Sequence, residues 1–230
     1  AALNTAVGYQ SMDANTTGVS NVAVGGHALG ANITGNNLCA IGTNALLVNT
    51  TSGNTTVGSN AGYSNTSGRI DVFGFNAAFN NTTGNYNSAF GQQNGYLAAL
   101  QTNTTGSSNA AFATGSLGYN TTGSSNTGIG VAALYSNTTA SESTAVGYRS
   151  LYTNTTGSTN TAFGADSLRL TTTGSANNAF GHSALESNTT GGINTAMGHR
   201  SMVVNTTGAN NVAIGGYALQ ANTTASHNTA

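Results

Sequence analysis

Fourteen Asn-x-Thr/Ser triplets have the residue types and spacing for chemistry: Asn15, Asn32, Asn49, Asn54, Asn65, Asn80, Asn81, Asn103, Asn120, Asn137, Asn154, Asn188, Asn205 and Asn222. The triplet is the acceptor for N-linked glycosylation, which needs an exposed Asn with a hydroxyl two residues on. No proline interrupts any of them. The same residues have a second use, because Asn at a turn bonds its own backbone and stacked Asn side chains form amide ladders. Thr171 stands where one Asn is missing, which would end such a ladder or skip one glycan. Solubility favours sugar: a chain with 4% charged residues and net charge −1 is prone to associate, and a coat would prevent it. N-linked glycans are therefore the expected covalent decoration.

Other chemistry is sparse. Cys39 is the single cysteine, too few for a disulfide framework, and reads as a small half-buried residue. His182 and His199 are 17 residues apart, a spacing that stacks them without bringing carboxylates, so no metal or other cofactor is expected. No glycine pattern of a phosphate-binding loop occurs, and no catalytic residues are assigned: the chain reads as non-enzymatic. Nucleic acid is a poor partner without a basic cluster, and no apolar run is long enough to insert into a membrane.

The elements that must position these residues follow from a repeat. A bulky apolar residue, followed by Gly in all coils but one, recurs at Val7, Val24, Ile41, Val57, Phe73, Phe90, Phe112, Ile129, Val146, Phe163, Phe180, Met197 and Ile214. Thirteen units over residues 4–227 share the consensus N-T-A-[VFI]-G-x-x-[AS]-L-x-x-N-T-T-G-x-x, whose positions are numbered here as columns one to seventeen. Twelve of the Asn triplets fall at column twelve, and the two others are Asn54 and Asn80. A fourteenth unit begins at Asn228, so residues 1–230 are expected to be one repeat array and part of a longer one.

Seventeen residues are too few for a helical pair, and Gly with Asn, Thr and Ser runs disfavours any helix. The predicted fold is all-β: a parallel β-solenoid of about 13 coils, stacked about 4.8 Å apart, with a second β segment at the Ala-Leu pair. The thirteen bulky residues of column four are the expected core ladder, with the Leu column nine as a second. Column three is mostly Ala and would then face outward, to pack on another chain, unless a strongly curved coil holds both columns in one narrow core. Coil six carries a five-residue insertion near 94–98 that should bulge, and the coils starting at Leu38 and Asn54 each lack one residue. Asn at column one is expected to form an inward amide ladder. Stacking also predicts ion pairs Arg149–Asp166 and Arg169–Glu186, and ring stacks Tyr135–Tyr152 and Tyr63–Phe79.

At Thr144-Ala145-Val146-Gly147 and Val212-Ala213-Ile214-Gly215 the chain resembles the head repeats of trimeric autotransporter adhesins, whose core is similar over five residues per coil. Those repeats are shorter and lack the N-T-T-G turn. The resemblance implies a surface-exposed, trimeric, adhesive β-roll. Together these readings give an extracellular or cell-surface fibre subunit that self-associates into a fibre or homo-oligomer and carries glycans along one column. The alternatives are a trimeric adhesin or phage-type tail fibre that binds host surfaces, and an ice-binding solenoid.

Overall fold

The computed structural model describes residues 3–230. The fold is all-β, a parallel β-solenoid whose thirteen strands follow one another in chain order. Two compact units divide the chain, Ala1–Thr122 and Gly123–Ala230. The first holds β1 (Thr5–Val7) to β7 (Ala110–Phe112), the second β8 (Thr127–Ile129) to β13 (Val212–Ile214). Each coil contributes one strand, at columns two to four. Within each unit neighbouring strands pair in register, as in Thr161↔Asn178, Ala162↔Ala179 and Phe163↔Phe180, so like residues stack on like.

The second expected β segment is not a strand. The Leu of column nine adopts a left-handed backbone, with φ of 52° at Leu134, 51° at Leu151 and 51° at Leu168. That conformation costs an L-residue about 1–2 kcal/mol. Burial offsets it: each of these leucines is fully enclosed, and a buried Leu is worth about 1.5–3 kcal/mol. The turn they make closes the coil within 17 residues and bonds to the next coil, as Leu151 N–H does to Ser167 O at 3.0 Å. Glycine fills column five in every coil but the one with Ala113, for another reason: a Cβ on Gly147, where φ is +132°, would lie 2.6 Å from the Gly164 carbonyl carbon.

The interior reverses the expected order of columns three and four. Ala23, Ala40, Ala89, Ala111, Ala145, Ala162, Ala179, Ala196 and Ala213 are all 0% exposed. Their neighbours in column four point outward: Val7, Ile41, Phe73, Phe112, Ile129, Phe163, Phe180, Met197 and Ile214 are exposed, and Val24, Val57, Phe90 and Val146 are half-buried. The thirteen residues expected to be the core ladder are therefore an outer ladder. Alternation along a strand lets only one of two adjacent residues face inward. A coil this small, already filled by Leu and Asn, has room only for the methyl group.

The exceptions confirm that volume decides. Column three holds Thr56 and Val72 instead of Ala in two adjacent coils, and there column nine shrinks to Gly62 and Ala78. Ile70 replaces the column-one Asn beside them, and a Cβ on Gly62 would meet its Cδ1 at 2.7 Å and Thr56 Cγ2 at 3.2 Å. Small and large have exchanged places between the columns.

Coil six carries its insertion earlier than residues 94–98. Residues 92–95 are exposed, and Ala99 N–H returns to Gly91 O at 3.1 Å, the bond that joins columns eight and five elsewhere. Ala98, expected in the bulge, is buried.

Candidate functional site

The triplet column is the first candidate. Its Asn residues lie inside the solenoid: Asn32, Asn49, Asn65, Asn81, Asn103, Asn120, Asn137, Asn154, Asn188 and Asn205 are all 0% exposed, as is Asn54. The turn aims each side chain inward, where Nδ2 gives one hydrogen to its own turn and, in most coils where the coil before holds an Asn, the other to that Asn. Asn154 donates to Asn137 Oδ1 at 3.1 Å and to Gly157 O at 2.9 Å; Asn81 donates to Asn65 Oδ1 at 2.8 Å and to Gly84 O at 3.1 Å. A glycan on Nδ2 would remove one of these hydrogens and has no space beside the other. The expected glycan column is thus corrected to an amide ladder. Of the fourteen acceptors only Asn80 is exposed, and Asn15 and Asn222 are half-buried.

Column one forms the anticipated second ladder. Asn177, Asn194 and Asn211 are buried, and each donates its backbone N–H to the preceding Asn Oδ1 at 2.9–3.0 Å. Both ladders converge on the column-fifteen carbonyl: Gly191 O accepts from Asn177 and Asn188, each at 2.9 Å. These amides satisfy the turn carbonyls that water cannot reach.

Thr171 breaks the column-twelve ladder. Its Oγ1 is buried without a partner, and so is Asn154 Oδ1, which elsewhere accepts from the next Asn. Thr171→Asn restores the donor at nearly constant volume. We expect it to stabilise the fold by about 1–2 kcal/mol, read as a melting midpoint raised by about 2–6 °C.

The charged cluster of the second unit is the next candidate. Arg149 Nε lies 3.3 Å from Asp166 Oδ1, Arg169 Nε 3.6 Å from the same oxygen, and Arg169 Nη2 2.6 Å from Glu186 Oε1. The two predicted pairs are present, joined into one chain of alternating sign by Arg169. Burial pushes the Glu186 carboxyl up, but hydrogen bonds from Arg169 and Ser183 and the charges of Arg169 and Arg200 outweigh it and hold it below the usual glutamate range. A carboxyl depressed on folding contributes stability above its unfolded pKa and loses it as pH falls through the folded one. Glu186→Gln should therefore remove at most about 1 kcal/mol at neutral pH and flatten the stability profile in that acidic window, measured by urea unfolding. The cluster is a ladder of ion pairs that runs from coil to coil.

Rings also stack from coil to coil within each unit. Tyr135 and Tyr152 lie 5.4 Å apart and 5° from parallel, Tyr63 and Phe79 4.9 Å and 5°. His182 and His199 stack at 5.5 Å, with Tyr217 edge-on to His199 at 5.2 Å. Among the described residues no group of three His, Cys, Asp or Glu is placed to hold a metal. Cys39 is half-buried on the outer face of the sheet, and no helix among the described residues is long and apolar enough to cross a membrane.

The feature missed in the sequence is the outer sheet face itself. In the first unit Phe73, Phe90 and Phe112 stack with centroids 4.7 and 4.9 Å apart; in the second Phe163 and Phe180 stack at 6.0 Å. Beside this ladder, where the two short coils end, a hollow of about 290 Å³ opens between Gly53, Arg69, Asp71 and Tyr86. No protein-family model, curated protein or solved structure matches this chain.

Proposed function

We propose that the chain is a non-enzymatic structural segment of an extracellular or cell-surface fibre, held to copies of itself through the outward apolar ladder. The observation that carries this reading is the exposure of column four. In the second unit Ile129, Phe163, Phe180, Met197 and Ile214 are 39–63% exposed, and the half-buried Val146 completes the apolar column between Ile129 and Phe163. A ladder of that kind offers on the order of 500 Å² of apolar surface per unit, far beyond scattered single exposures and close to one side of a standard interface. A ladder repeating at the strand spacing fits best against another with the same repeat, which favours a second copy over an unrelated partner. The resemblance of the A-[VIF]-G core to trimeric autotransporter head repeats supports the surface location and the homo-oligomer. Sedimentation equilibrium of the recombinant chain at micromolar concentrations tests it: an oligomer is expected, and a monomer throughout would overturn it.

Ice binding has one observation in its favour. Thr139, Thr156, Thr173, Thr190, Thr207 and Thr224 form an exposed column with one hydroxyl per coil, about 4.8 Å apart. Thermal hysteresis of the sugar-free protein would establish that reading, and its absence would dismiss it.

A further inference from the structure

A periodic ladder selects a face without selecting a register. Shifting one chain along its neighbour by a single coil puts apolar residue against apolar residue again, so column four alone leaves many nearly equivalent alignments. Register needs a feature that occurs once. Among the thirteen coils, Asp71 is the only charged residue in columns two and four. Arg69 lies two residues before it, at the corner leading into β5 (Ile70–Phe73). Both are exposed, while Ile70 between them is buried, so they project on the same outer side. Among the described residues neither side chain has an ion-pair partner within the chain, in contrast to Arg149, Asp166, Arg169 and Glu186.

We infer that Arg69 and Asp71 form a register lock between copies of this chain, the guanidinium of one chain pairing with the Asp71 carboxylate of the next at the same coil level. The inference rests on the self-association proposed above. In a closed ring of parallel identical chains every neighbour contact is the same, so one Arg69 and one Asp71 per chain satisfy all the charges. The local structure makes room for the pair. The coils starting at Leu38 and Asn54 are each one residue short, and Gly53 presents no side chain at the corner, which leaves the hollow of about 290 Å³ that Arg69 and Asp71 line. A guanidinium entering it would reach Asp71 at the rim of the apolar face, shielded from solvent and bidentate, the geometry in which an ion pair specifies alignment. A one-coil slip would bring Asp71 against Gly53 or Tyr86, the residues that hold the place of Arg69 in the neighbouring coils, with no cation in reach.

The test uses two single variants of the full chain, Arg69→Asp with two acids at the lock and Asp71→Arg with two bases. Both sites are exposed, and circular dichroism checks that each variant keeps the fold. Each alone should self-associate about tenfold more weakly than the parent chain, and an equimolar mixture should associate more strongly than either variant alone, as mixed oligomers in native mass spectrometry. The neutral variants Arg69→Gln and Asp71→Asn, each expected to weaken association several-fold, serve if a charge reversal fails to fold. Variants that associate like the parent, or a mixture no stronger than its components, would overturn the lock while leaving self-association intact. A parent chain that stays monomeric would overturn both.

Discussion

Replacing Asn81 with alanine is expected to destabilise the fold by about 3–6 kcal/mol, while the same change at the adjacent Asn80 should fall within about 0.5 kcal/mol of the parent. Asn81 is fully enclosed and donates to Asn65 Oδ1 and Gly84 O; it accepts from Asn103 Nδ2 at 2.6 Å and Asn87 Nδ2 at 3.3 Å. Truncation leaves Asn65 Oδ1 and Gly84 O buried without a partner, and each orphaned group costs about 1–3 kcal/mol. Asn80 is exposed and only its backbone is engaged, through N–H to Gln101 O. Chemical denaturation of the two variants, both made without sugar, separates an internal ladder from a glycan acceptor. Near-equal stability would mean that the column-twelve Asn is dispensable to the fold.

Gly62→Leu, which restores the consensus residue, should cost about 3 kcal/mol despite matching most other coils. A Cβ at Gly62 already meets Ile70 Cδ1, and Leu46 Cδ1 lies 3.4 Å away in the neighbouring coil. Overpacking costs about 1–3 kcal/mol and the left-handed backbone adds about 1–2 for a residue with a side chain. The loss should shrink by more than half when Ile70→Asn and Thr56→Ala are introduced with it, since these restore the usual occupants of columns one and three. A double-mutant cycle measures that coupling. Additive losses would show that columns one, three and nine do not share one interior.

The period, the parallel solenoid, the ion pairs and the ring stacks were legible because stacking puts residues 17 apart in contact whichever way they face. Direction was not legible from hydrophobicity. Thr161-Ala162-Phe163 alternates equally well with Phe163 or with Ala162 inward, and the larger burial gain favours the wrong one. The signal lay in the variance of each column. Val57, Phe73 and Phe90 succeed one another in column four, a change in size that an interior of fixed section cannot accept, whereas column eight is always Ala or Ser. The Asn-Thr-Thr-Gly turn misled for a related reason. Its exposed Thr156 and Thr190 are what a glycosylation triplet needs, and only the coil's curvature turns Asn154 inward to face Asn137.

The central claim is that small residues and amides fill the solenoid while its bulky apolar ladder faces other chains. Serine at Phe163, Phe180 and Met197 together tests it most directly, with circular dichroism and sedimentation on the same sample. The account predicts a folded chain that still melts cooperatively and sediments as a smaller species than the parent. An unfolded chain would place those side chains in the core and contradict it.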